Sequence, residues 1–327
     1  MEAQWKAAPI CRLSASDVQN FANRYLERNG LLISLSDTRD TTLMFDLSAR
    51  ACEVFADTIN EMKTHLECAE TGIVAVDIPE VFDDATADAT IGSLTAVALS
   101  QAITPNLPDR ENKTPFSIFT ASKDNSEKLD QIGIRGLSPV DVLEFHSDGS
   151  IADGLLSVPD YISLFNVFIN YYDRGYFYWV PTRSITGFPE IVERAGFGKD
   201  YYFSLTPAVY NTTQSDLKVI DRRAKAAIFS LAGDGTVTTF MNGTFEGPCE
   251  TSGVPGDIVS QIKTAISTNS IRYFVPQESR RLIMLNNANG FHARDIFERP
   301  MNGCQVTRAY LRSASISGKI VGNILED

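Results

Sequence analysis

The chain is poor in the residues that most often carry chemistry. Only three of its 327 residues are histidine, at His65, His146 and His292, so any reaction that needs imidazole has few places to occur. Cysteine is equally sparse: Cys11, Cys52, Cys68, Cys249 and Cys304 are odd in number and nowhere fall in a CxxC spacing. This excludes a disulfide frame or thiolate zinc site and predicts reduced thiols. No window holds the roughly 18 uninterrupted apolar residues of a membrane span. The opening MEAQWKAAPICRLSASD lacks the apolar stretch of a secretory leader, so the expected location is cytoplasmic. Basic charge is also short, with 29 Lys and Arg against 41 Asp and Glu, a net charge of −12. A surface of that sign disfavours nucleic acid and anionic membranes, which both need positive charge opposite them.

What is present is enough apolar residue, 43% of the chain, for a substantial core. The first third reads helical. Ser16 and Gln19 have capping-box spacing, followed by Val18, Phe21, Ala22, Tyr25 and Leu26 at helical intervals, with Asn29-Gly30 as the stop. A second helix is expected over Ser48–Leu66, with Ala51, Phe55, Ile59, Met62 and Leu66 on one face, and a third over Ala87–Gln101. Gly72–Val76 reads as a buried strand. Beyond about residue 115 short β runs take over: Val140–Phe145, Ile162–Ile169, Tyr176–Val180, Ala226–Leu231, Thr236–Met241, Ile271–Val275, Leu282–Leu285 and Val306–Leu311. Gly233-Asp234-Gly235 marks a hairpin, and helices are expected near Pro189–Ala195 and Pro255–Ile266. The expected class is α+β, mainly β. It is a jelly roll (double-stranded β-helix) formed by residues 116–327 and supported by a helical extension over 1–115, as one domain over 1–327.

His146 and Asp148 stand two apart at the end of an apolar run, Leu143-Glu144-Phe145-His146-Ser147-Asp148. On a strand, positions i and i+2 share a face, so an imidazole nitrogen and a carboxylate oxygen can meet one ion. A second histidine from a distant strand completes a facial triad with open coordination positions, the arrangement suited to Fe(II) oxygen chemistry. His292 lies five residues after Asn287 in Asn-Ala-Asn-Gly-Phe-His-Ala-Arg. Thr307-Arg308-Ala309-Tyr310-Leu311-Arg312 follows, with two arginines four apart on one strand face, about 13 Å at roughly 3.3 Å per residue. His65 has no ligand partner at i+3 or i+4 and reads as a helix-surface residue.

In their order, HxD, Asn-x-x-x-x-His-x-Arg and Arg-x-x-x-Arg resemble the Fe(II)/2-oxoglutarate-dependent dioxygenase superfamily, in its taurine dioxygenase and clavaminate synthase-like branch. The likeness runs over about residues 71–315 and is sharp around 138–170 and 282–312. It implies that His146, Asp148 and His292 bind Fe(II) and that Arg308 binds the distal carboxylate of 2-oxoglutarate. It further implies that Arg312 faces the acid group of the primary substrate, while Arg294 matches the pattern in a structural role. The implied activity is oxidation of a C–H bond in a small, carboxylate-bearing, amino-acid-like molecule in specialised metabolism, with O2 as oxidant. Hydroxylation is the default outcome; ring closure or desaturation, as in clavaminate or kainoid synthases, is the alternative. Halogenating relatives lack a carboxylate at the position of Asp148. The chain departs from the family at Phe177, where a threonine that helps hold 2-oxoglutarate is usual; Thr182 and Ser184 are the candidate substitutes. Two other classes remain open from the residues alone: a jelly-roll binding protein without catalysis, and a zinc hydrolase using the same three ligands.

Overall fold

In the computed structural model, residues 4–27, 34–109, 112–122, 142–205, 210–211, 217–218, 222–231, 235–249, 256–268, 270–316 and 318–325 are described. Four helices lie in the first third: α1 (Ala15–Glu27), α2 (Thr41–Val54), α3 (Ala56–Glu67) and α4 (Ala85–Ile103). Ser14, not Ser16, caps α1: its Oγ accepts from the Asp17 amide at 3.0 Å. The expected stop at Asn29-Gly30 lies outside the described residues. The single helix expected over Ser48–Leu66 is two helices. Asp40 caps α2 through the Thr42 amide, and Phe55 leaves helical geometry with φ −113 and ψ 28. The apolar stripe nevertheless continues across the break, since Ala51, Phe55, Ile59, Met62 and Leu66 are all buried. One non-helical residue shifts the phase too little for periodicity to register it. Among the described residues no helix is long and apolar enough to cross a membrane.

Eleven strands build two facing sheets. They are β1 (Gln4–Ala7), β2 (Ile10–Arg12), β3 (Ile73–Asp77), β4 (Ser117–Ser122), β5 (Leu143–His146), β6 (Ile162–Ile169), β7 (Tyr176–Pro181), β8 (Ile271–Pro276), β9 (Arg281–Leu285), β10 (Gly290–Arg294) and β11 (Val306–Ala314). The five-stranded sheet has the order β1-β8-β7-β10-β5 and the six-stranded one β2-β3-β9-β6-β11-β4. Side-chain alternation sets their two faces. Val74, Val76, Phe165, Leu282, Met284 and Leu311 pack under the helices. Their neighbours Ile73, Ala75, Ile162, Ile283, Leu285 and Ala314 point the other way, onto Phe177, Trp179, Tyr273 and Val275 of the opposite sheet. Strands buried on both faces read as near-continuous apolar runs, as residues 282–285 of β9 do, and β6 is legible by its Ile, Leu, Phe and Val despite Ser163 and Asn166.

A third sheet, Thr244–Pro248, Asp200–Leu205, Arg222–Ala227, Lys319–Ile324, Leu155–Val158 and Ser150–Ala152 in that order, backs the five-stranded one. With α5 (Phe188–Ala195) and α6 (Ile258–Thr268) it forms a core that receives Val180 and Phe291. The run expected as one strand over Ala226–Leu231 is divided, because Arg222–Ala227 joins this sheet and Phe229–Leu231 pairs with Val237–Thr239. That antiparallel pairing is the hairpin expected there, although Gly233 and Asp234 lie outside the described residues. β10 went unread in the sequence: Asn-Ala-Asn-Gly signals a turn, and Gly-Phe-His-Ala-Arg has no β-branched residue.

β10 is seated by Trp179, whose Nε1 donates to the Thr71 carbonyl at 2.7 Å. A Cβ at Gly290 would fall 2.3 Å from the Trp179 ring and 2.5 Å from the Val180 carbonyl oxygen. Gly290→Ala should therefore destabilise the fold by about 1–3 kcal/mol through overpacking. Gly256→Ala, where the nearest atom is 3.7 Å away, should stay within about 0.5 kcal/mol of wild type. Denaturant unfolding of the two variants checks this, and equal stabilities would refute the seating.

Candidate metal centre

β10 lies between β7 and β5, and the register places His292 beside Trp179 on one side and His146 on the other. Phe291 faces the third sheet, so His292 faces the space between the two main sheets. The two imidazole rings stand with centroids 4.1 Å apart. His146 Nδ1 lies 2.8 Å from the Glu144 carbonyl oxygen, a bond that places the proton on Nδ1 and leaves the Nε2 lone pair free. His292 is packed against Phe177, ring centroids 5.5 Å apart and nearly parallel. Asp148 completes the group: its Oδ1 is 3.4 Å from His146 Nε2 and 3.7 Å from His292 Nε2. One potential ligand atom from each residue lies within 4.8 Å of the others. Two imidazoles and one carboxylate at this separation suit an Fe(II)-type dication.

The sequence places Asp148 on the same strand as His146, but β5 ends at His146 and Asp148 lies beyond it. Strand alternation therefore does not present its carboxylate. Two sets of bonds hold this loop. Ser147, fully buried, donates its amide to the Met241 carbonyl at 2.8 Å, and its Oγ accepts from the Met241 amide at 2.9 Å. The Asp148 amide donates to Asn287 Oδ1 at 2.8 Å, and Asn287 Nδ2 donates back to the Asp148 carbonyl at 2.9 Å.

Both arginines of β11 point to the site side, since Leu311 between them faces the helices. Arg308 is buried, and its Nε and Nη2 donate to Asn166 Oδ1 at 3.1 and 2.7 Å. Its guanidinium lies 4.8 Å from the Phe297 ring centroid and 4.1 Å from that of Tyr310. Among the described residues no carboxylate pairs with it. Burial pushes Arg308 down to about 9, against the opposing influence of Tyr310. Arg312 behaves differently from the expectation of an arginine left open for substrate: its Nε donates to Asp148 Oδ2 at 2.7 Å. Arg312, expected to face the acid group of the primary substrate, is thus already paired with an internal carboxylate. Arg312 is nonetheless at the site, with its side chain 22% exposed. Arg294, on the face of β10 that carries His292, lies over Phe297 at 5.3 Å and donates to the Asp295 carbonyl. Phe177 packs into the inter-sheet core. Neither proposed substitute for the family threonine joins the site: Thr182 Oγ1 donates to the Asn289 carbonyl, and Ser184 Oγ sits against the carbonyls of Pro181 and Ile271. His65 remains on α3 beside Glu61.

No family model matches the sequence, and no curated protein matches it. Solved structures do. The non-heme iron oxygenase OrfP in complex with Fe, succinate and (3R,4R)-dihydroxy-L-Arg superposes with a TM-score of 0.64 at 12% identity, over 95% of each chain. The chain carries the fold of the non-heme iron oxygenases. OrfP with Fe and alpha-ketoglutaric acid gives a TM-score of 0.59 at 13% identity over 94% of each chain. Asparagine oxygenase with Fe(II), 2S,3S-3-hydroxyasparagine and succinate gives 0.59 at 10% identity, over 94% of this chain and 93% of that one. The jelly-roll expectation agrees with this oxygenase fold. At such identities the likeness is one of fold, and the site must be argued from its own residues.

Two of the three candidate ligands, His292 and Asp148, have shifted pKa values. Burial, reinforced by His146, lowers His292 to about 3 from 6.5. Burial raises Asp148, but the charge of Arg312 and the two histidines outweigh it and hold the carboxyl well below 3.8. Unfolded His292 binds a proton near pH 6.5 while the folded residue does not until about pH 3, so the unfolded state is favoured as pH falls through that interval. Asp148, whose folded value is also depressed, adds a further loss as its unfolded form protonates near 3.8. Thermal unfolding of the metal-free protein should thus show a midpoint that falls below about pH 6.5. His292→Gln should flatten the upper part of that fall, and an unchanged profile would contradict the burial of a neutral imidazole.

Proposed function

We propose that this protein is an Fe(II)- and 2-oxoglutarate-dependent oxygenase that oxidises a C–H bond of a small, carboxylate-bearing, amino-acid-like substrate. The supporting observation is the pairing of two features in one inter-sheet space. His146, Asp148 and His292 offer three ligand atoms to one cation, and Arg308 supplies a buried guanidinium that no described carboxylate neutralises. Zinc hydrolysis or simple binding would use the triad but leave Arg308 without an anion, and a buried unpaired cation is costly. Bound in the triad, Fe(II) with 2-oxoglutarate and O2 supplies oxidation coupled to decarboxylation, giving succinate and CO2.

The chain's own residues bind and orient. His146 and His292 present Nε2 to the cation, and Asp148 presents its carboxylate. Arg308, held by Asn166, takes the distal carboxylate of 2-oxoglutarate through charge-assisted bonds. The rings of Phe297 and Tyr310 cover the guanidinium, which strengthens that contact. Arg312 holds Asp148 through Oδ2 while Oδ1 faces the two histidines, so its guanidinium orients the carboxylate that would bind the cation and adds positive charge at the edge of the site, where the acid group of an amino-acid substrate would lie. Hydroxylation is the outcome we infer. OrfP is found with hydroxylated arginines and asparagine oxygenase with a hydroxyasparagine, and no observation here favours ring closure or desaturation. The whole chain acts as one domain, with the N-terminal helices backing the sheet that carries Arg308 and Arg312.

The test is succinate formation from 2-oxoglutarate in the presence of Fe(II) and O2, run against a panel of amino acids that includes L-Arg and L-Asn. At least one amino acid should stimulate turnover, and Asp148→Ala should abolish it. Arg308→Ala should raise the 2-oxoglutarate KM strongly, a cost on the order of 2–5 kcal/mol. Arg308→Lys should recover part of this, because an ammonium cannot reproduce the two-pronged contact. A KM unmoved by Arg308→Ala would place 2-oxoglutarate elsewhere.

A further inference from the structure

We infer that Asn287 is the positioning residue of Asp148, fixing the carboxylate that completes the metal centre; this rests on the reading of the triad as a cation site. Asp148 is past the end of β5, so no ladder bond fixes its backbone. Asn287 replaces that ladder with one side chain. Its Oδ1 accepts from the Asp148 amide at 2.8 Å, and its Nδ2 donates to the carbonyls of Asp148 at 2.9 Å and Pro159 at 3.0 Å. The side chain is fully buried and both amide hydrogens are used. Both backbone polar groups of Asp148 are thereby satisfied by a single planar amide, which fixes the position and the rotation of the peptide that carries the carboxylate.

The location of Asn287 matters as much as its bonds. It begins the short turn Asn287–Asn289, and β10 follows at once with His292. The segment that presents one ligand therefore grips the backbone of another, and the spacing Asn-x-x-x-x-His records that grip. Ser147 alone does not suffice, since its bonds tie the loop to Thr239, Met241 and Asn242, a segment that carries none of the three ligands. Asn287 thus sets the separation between Asp148 and His292, whose Oδ1 and Nε2 lie 3.7 Å apart. Outer residues that orient ligands commonly account for about 10–100-fold in metal affinity.

Co(II) binding to the full chain, measured by calorimetry, tests this in two backgrounds. In the otherwise wild-type chain Asn287→Ala should raise the Co(II) Kd about 10–100-fold. In an Asp148→Ala background, where the positioned ligand is gone, the same substitution should change Kd less than about twofold. Asn287→Asp, which keeps one acceptor but turns a carboxylate toward two carbonyls, should behave as Asn287→Ala and serves if that variant does not fold. Equal losses in both backgrounds, or no loss in either, would overturn the inference, leaving the metal centre standing. Failure of both variants to fold would also count against it, because the role of Asn287 would then be structural. A wild-type chain with no Co(II) affinity would remove the metal centre itself, and the inference with it.

Discussion

A carboxylate held between two imidazoles and a guanidinium is the contact around which the molecule is arranged. Burial alone raises the pKa of Asp148, and the charge of Arg312 foremost reverses that tendency. The result is an anion that stays ionised beside the His292 imidazole, which burial keeps neutral. Neutral imidazoles and an ionised carboxylate are the protonation states a metal ligand set requires. The apolar frame serves this arrangement. Ile73, Ala75, Ile283, Leu285, Phe177, Trp179 and Val275 fill one part of the space between the sheets, while the metal-centre residues gather in the part where β5, β10 and β11 carry His146, His292, Arg308 and Arg312.

The site residues come from β5, β10, β11 and the loop after β5, which explains how the parts depend on one another. His292 is set by the seating of Gly290 against Trp179, and His146 by its register opposite His292. Arg308 and Arg312 are set by the alternation of β11, whose other face is anchored to the helices through Leu311. The helical third therefore acts on the chemistry indirectly, by fixing the sheet from behind. Only Asp148 lacks a regular element of its own, and side-chain bonds replace it.

Much of this was legible in the sequence. The apolar-rich runs of β6 and β9 announced strands, and the three histidines were few enough for HxD and a later histidine to stand out. Asn287 carried a signal too, its fixed distance from His292, but its meaning depended on the loop that it grips. What stayed hidden has physical causes. Phe55 breaks a helix without disturbing the apolar stripe, so periodicity could not show it. β10 has a single strand-favouring residue, Phe291, among residues that do not favour strands, and its pairing with β5 and β7 makes it a strand. The partner of Arg312 could not be read either, because Asp148 is 164 residues away in the chain and meets it through the closure of the two sheets.

The central claim is that His146, Asp148 and His292 hold one ferrous ion. Anaerobic equilibrium dialysis against Fe(II) tests it most directly. The account predicts one ion per wild-type chain and essentially none for the double variant His146→Ala, His292→Ala, which retains every other acidic and sulfur-bearing residue. Absence of binding in the wild type, or undiminished stoichiometric binding in the double variant, would contradict it.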